Sequence, residues 1–184
     1  MYKRQTLAFV NSIDDDGTLF QMSVNLDSFD DDEDEAFLTM AHEFSHVFTL
    51  LPSEIDRSPE SEASCSTYDN GEGCFVEGSL MAGWVDEFWS DGLLDELDPA
   101  VEPSVTSGEE RCALDADFLG PYAASDPEED FAETFSAFVF DLDVDPALDD
   151  KLEWMAARPG LVEFRDRAID AGLTPLANGF ELCG

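Results

Sequence analysis

The sequence predicts an α+β domain, mostly helical, with a small sheet near its start. Three observations predict it. Residues 19–26 alternate apolar and polar, residues 34–51 carry apolar positions at helical spacing up to Pro52, and Asp126-Pro127 opens a second strongly helical stretch. The 184 residues include 43% apolar side chains, with 15 Phe and 3 Trp, enough to bury one core. No internal repeat or linker divides the chain, so one domain over 1–184 is expected.

The elements follow in order. Thr6 to Val10 reads as a short strand, and Asn11 to Gly17, with Asp14-Asp15-Asp16-Gly17, as a turn. Leu19 to Leu26 places Phe20, Met22, Val24 and Leu26 on one side and Gln21, Ser23 and Asn25 on the other, a half-buried strand able to close a hairpin. The Asp-rich turn fails as a calcium loop, because its twelfth position is Ser23 instead of Glu. Asp27 to Glu35 reads as a solvated acidic loop whose last carboxylates favour the positive end of the next helix. That helix is expected from Asp34 to Leu51, with Ala36, Phe37, Met40, Ala41, Phe44, Val47, Phe48 and Leu51 as its buried stripe. Residues 52–74 read as loop, Phe75 to Leu97 as helix, and Asp98 to Arg111 as a second polar loop. Leu114 to Tyr122 is a short apolar approach. Asp126 then caps a helix running to about Phe140, with Pro127 in its first turn. Helices near Pro146–Ala157 and Leu161–Ala171 complete the chain. Trp84, Phe88 and Trp89 are expected in the core, and Arg165 and Arg167 in surface ion pairs of small energetic weight.

Charge excludes several partners. Asp and Glu number 44 against 8 Lys and Arg, a net charge of −36, which repels phosphate backbones and anionic lipid; nucleic acid and membrane binding are therefore not expected. Apolar runs fall far short of the roughly 20 residues that a membrane-spanning helix needs. Such an excess suits high salt, where self-repulsion is screened, or a secreted protein. The four cysteines favour secretion. Cys65, Cys74, Cys112 and Cys183 contain no Cys-x-x-Cys pair and read as two disulfides, with Cys65–Cys74 and Cys112–Cys183 the expected pairing among three possible. An extracellular location is expected, although the start, Met-Tyr-Lys-Arg-Gln, carries no signal peptide. A leader or upstream segment is read as missing and the N-terminus as incomplete.

The chemistry concentrates in one motif. The two histidines, His42 and His46, stand in His42-Glu43-Phe44-Ser45-His46 within a predicted helix. Residues four apart share a helix face, so both imidazoles reach one ion, and Glu43 lies beside them to take a proton from a metal-activated water. A catalytic zinc wants three protein ligands and an open position. With no third His and no suitable lone Cys, the third must be a carboxylate. The helix after Pro127 offers Glu129 and Glu133, which share a face with Ser136, while Phe131, Phe135 and Phe138 pack elsewhere. One Glu as ligand and the other behind a ligand His is a sensible division, and spacing does not decide which is which. Glu129 could also complete a capping box with Asp126.

His42-Glu43-x-x-His46, followed by Tyr122, then Glu129 seven residues on, then Phe131-Ala132-Glu133-x-Phe135, resembles the gluzincin metallopeptidases of the anthrax lethal factor and Pro-Pro endopeptidase group. The resemblance covers roughly residues 36–140, and the cysteine-containing stretch 52–120 departs from it. It implies a zincin-like fold and a zinc metalloendopeptidase acting on peptide or protein substrates. It further implies Zn2+ held by His42, His46 and Glu129, Glu43 as general base, Tyr122 as donor to the oxyanion, and Glu133 behind the ligands. Tyr122 also reads as a packed aromatic after Gly120-Pro121. The rival from another class is a zinc-containing binding module without turnover; an acidic structural protein without metal is a third.

Overall fold

The computed structural model describes residues 7–14, 16–26, 33–58, 64–90, 92–97, 101–176 and 183. The sequence-expected strand at 6–10 and the acidic loop at 27–35 fall partly outside them. Strands β1 (Ala8–Ser12) and β2 (Phe20–Val24) form an antiparallel hairpin with Val10 opposite Met22. Asp14 closes the turn, accepting from the Thr18 and Leu19 backbone N–H groups at 2.9 and 2.8 Å. Gly17 takes φ 65° there, and a side chain at that position would collide with the Arg57 guanidinium.

Helix α1 (Glu33–Thr49) begins on Glu33, Asp34 and Glu35, which complement its positive end. Arg57 donates to the Leu50 carbonyl at 2.9 Å where α1 stops. The buried stripe differs from expectation. Phe44 is 44% exposed, while Leu38, Ala41, His42, Glu43, Ser45 and Thr49 are buried. The inward face of α1 meets another helix at close range, so small and polar residues occupy it and the large Phe44 turns outward onto Phe164.

Strands β3 (Ile55–Asp56) and β4 (Cys74–Phe75), read from sequence as loop and helix, pair antiparallel. The expected helix 75–97 is shorter: α2 spans Leu80–Phe88, because Gly78 at φ 83° and the Ser79 cap start it late, and a 3-10 turn covers Leu94–Glu96. The expected polar loop 98–111 contains α3 (Val105–Cys112), held by a Ser104/Ser107 capping box. Its composition carries little apolar periodicity, and it forms because Gly108 lets it press on the chain at Pro121, where a Cβ would lie 1.7 Å from the Pro121 carbonyl oxygen. In the apolar approach 114–122, Phe118 and Leu119 are buried, but Leu114 is 82% exposed.

Helix α4 (Pro127–Phe140) starts on Asp126, whose side chain accepts from the Glu128 N–H at 2.8 Å. It is the central element, buried along most of its length, with α1, α2, α5 (Asp149–Ala156) and α6 (Pro159–Asp170) packed on it. Helices α1 and α4 run antiparallel. Ser136 Oγ donates to the Leu38 carbonyl at 3.0 Å, and His42 and His46 stand beside Glu133 and Glu129 respectively.

Trp84 and Trp89 are fully buried in the core, as expected. Both indole N–H groups donate to Asp130 Oδ2, at 3.1 and 2.9 Å, and Lys151 Nζ lies 2.8 Å from Asp130 as well. Of the two late arginines, Arg167 pairs with Glu163 at an exposed site, whereas Arg165 lies over the Phe138 ring at 4.3 Å and has no ion pair among the described residues. Both disulfides pair as expected, Cys65–Cys74 and Cys112–Cys183. Among the described residues no helix is long and apolar enough to cross a membrane.

Candidate metal centre

Helical spacing stacks His42 and His46 on the inward face of α1, with Nε2 atoms 3.2 Å apart. Across the interface, Glu129 Oε2 lies 3.0 Å from His42 Nε2 and 3.7 Å from His46 Nε2. These three ligand atoms fall within 4.8 Å of one another, so His42, His46 and Glu129 form a group that could hold a metal ion. Two features fit an ion. Glu129 Oε2 is a buried oxygen whose near polar neighbours among the described residues are the two imidazoles, the atoms an ion would share with it. The donor set, two imidazoles and one carboxylate, is a mixed N/O set that suits a divalent transition metal with a position left open.

The tertiary structure gives the two glutamates different neighbours. Glu133 Oε1 lies 3.0 Å from His42 Nδ1, the ring nitrogen turned away from the ligand cluster. With Nδ1 held by Glu133, Nε2 is the nitrogen that would ligate an ion, giving up its proton as the ion binds. Glu129 is not a capping residue; Asp126 meets the Glu128 N–H on its own. Burial acts to depress the His42 imidazole, but the carboxylates of Glu129 and Glu133 outweigh it and lift its pKa to about 10. The same negative field that retains a proton there favours a divalent cation.

Glu43 is buried, 6% exposed, and burial raises its carboxyl while His42 and His46 pull it down. Tyr122 stacks on His42, ring centroids 5.9 Å apart and planes 23° apart. Burial, and then the charge and hydrogen bond of Glu129, drive its hydroxyl far above the usual range, so it remains a phenol. Its placement depends on the bend at Gly120, φ 139°, and on the 3-10 turn Ala123–Ser125 against which α3 packs. The start of α4 is crowded with acid. Burial lifts Asp126 to about 6, and burial together with Asp126 lifts Glu128 to about 8.

Sequence reading passes over two groups beside this centre. Asn70 binds both oxygens of Glu128, yet Asp69-Asn70-Gly71 carries only a turn signal. Lys151, on α5, neutralises Asp130 next to Glu129 in the chain, and no spacing rule links them. Comparison with protein-family models, with curated proteins and with solved structures finds no match to this chain.

Proposed function

We propose that this protein is a zinc-dependent metallopeptidase of gluzincin type with a zincin-like fold, hydrolysing peptide bonds in peptide or protein substrates. One observation carries the reading: His42, His46 and Glu129 converge within 4.8 Å with buried Glu43 beside them and the Tyr122 phenol stacked on His42. Zinc bound there would act as a Lewis acid on the scissile carbonyl and on the attacking water. Glu43 takes the proton of that water as its oxygen bonds to the carbonyl carbon, then passes the proton to the amine as the C–N bond breaks. A carboxyl raised by burial is suited to both steps. Tyr122, kept protonated, donates to the oxygen that gains charge. Glu133 holds His42 in one tautomer throughout.

The outer edge of β2 has no partner strand among the described residues and offers main-chain groups to an extended peptide. The net charge of −36 favours basic or neutral sequences near the cleavage point. Two disulfides are consistent with an extracellular location.

The test pairs metal analysis with a degenerate peptide library. The protein is expected to hold about one zinc per chain and to cleave a subset of peptides. His46→Ala loses the zinc, and Glu43→Gln keeps it while losing turnover. Zinc present with no cleavage by the unaltered protein would assign a metal-containing binding module instead.

A further inference from the structure

We infer that Asn70 is a positioning residue for the metal ligand Glu129: from the disulfide-closed segment Cys65–Cys74 it grips Glu128, and this grip keeps the neighbouring carboxylate aimed at His42 and His46. The inference rests on the metal reading of the site and extends it to residues outside the ligand set.

Asn70 Nδ2 donates to Glu128 Oε1 at 3.1 Å and Oε2 at 3.0 Å, a link spanning 58 residues of chain. Its Oδ1 accepts from the Glu72 N–H at 3.0 Å, which fixes the amide the right way round for donation. The segment carrying it is braced on every side. Cys65 and Cys74 close it covalently. The Phe75 N–H donates to the Tyr68 carbonyl at 2.8 Å, and the Tyr68 ring stacks flat on Phe75. Gly73 is pressed so closely on β3 that a Cβ would lie 2.7 Å from the Asp56 carbonyl oxygen. β3 in turn follows directly from α1, with the Ile55 N–H donating to the Leu51 carbonyl at 3.1 Å.

The segment is therefore a strut. It is rooted at the C-terminal end of α1, which carries the histidines, and it grips the N-terminal end of α4, which carries Glu129. At the opposite end of this antiparallel pair the two helices are tied by Ser136 and Leu38. Asn70 ties the end where the ion would sit. Crowding makes the tie necessary. Asp126, Glu128 and Glu129 place three carboxyl groups at the start of one helix, and among the described residues the ion pairs of Lys and Arg fall on Glu96, Asp130 and Glu163. A neutral amide offering donors to Glu128 holds it away from Glu129 without competing for the ligands.

The test measures zinc affinity by chelator competition in high salt, with His46→Ala as the background for adventitious binding to the acidic surface. Cobalt substitution supplies a visible spectrum that reports ligand geometry. Asn70→Ala is expected to weaken zinc binding about 10-fold, the loss typical of a group behind the ligands, with an altered cobalt spectrum. Asn70→Asp is expected to weaken it at least as much, because both amide donors to Glu128 are lost. The double variant Asn70→Asp/Glu128→Gln exchanges donor and acceptor and is expected to recover most of the loss. The Cys65→Ser/Cys74→Ser variant should weaken binding as Asn70→Ala does. If Asn70→Ala binds zinc as tightly as the unaltered protein, or the exchange recovers nothing over Asn70→Asp, the positioning role is wrong. If the unaltered protein binds no more zinc than His46→Ala, the metal reading itself falls.

Discussion

Lys151→Met isolates one buried charge. Lys151 is 4% exposed and Asp130 fully buried, and Nζ contacts both Asp130 oxygens at 2.8 Å and the Asp117 carbonyl at 2.5 Å. The ammonium also lies 4.2 Å from the Phe118 ring centroid. Met keeps the unbranched stem and most of the volume, so the change removes the charge with little packing loss. Asp130 is left with the two indole donors of Trp84 and Trp89. Stranding one partner of a buried pair costs about 3–5 kcal/mol. The lower end applies, because Asp130 can escape by taking a proton: burial already raises its pKa above 3.8 even with Lys151 and both indoles opposing. A loss of about 3 kcal/mol corresponds to a fall in Tm of roughly 6–12 °C for a chain of this size.

The sign with pH follows from the same shift. A carboxyl whose folded pKa lies above 3.8 binds more protons in the native state than in the unfolded one, so its contribution is fully present below 3.8 and is lost as pH rises through the folded pKa. Lys151→Met raises that pKa further, so its deficit against the unaltered protein should widen as pH rises above about 4. Urea unfolding followed by tryptophan fluorescence from pH 4 to 8 measures both effects. Asp130→Asn/Lys151→Met should recover more than half of the loss. A Lys151→Met protein within about 0.5 kcal/mol of the unaltered one at pH 7, with the same pH slope, would refute the buried-charge argument.

Tyr122→Phe keeps the ring on His42 and removes one donor; kcat should fall about 10²- to 10³-fold with KM and zinc content little changed. Destabilisation with unchanged kcat per folded molecule would make Tyr122 a packing residue only. The Cys112–Cys183 bridge closes a span of 71 residues, and Cys112→Ser/Cys183→Ser should cost about 4 kcal/mol on the loop-entropy account, read by denaturant midpoint. An unshifted midpoint would refute the loop-entropy account of this bridge.

What the sequence determined by itself is local in origin. The His-Glu-x-x-His helix is legible because residues four apart share a face whatever surrounds them. The start of α4 is legible because an Asp cap and a first-turn Pro act within one turn. The hairpin of β1 and β2 is legible from alternation and its Asp-rich turn. Helix α3 was not, because it depends on the close approach of Gly108 to Pro121 and not on its own periodicity. Spacing left Glu129 and Glu133 equivalent, the resemblance implied their roles, and the tertiary structure gives them different neighbours. They sit one turn apart on the same face, and the antiparallel crossing of α1 and α4 sends one to the Nε2 atoms and the other to His42 Nδ1. It alone joined Asn70 to Glu128 and Lys151 to Asp130, since contacts made across dozens of residues leave no period in the chain that makes them.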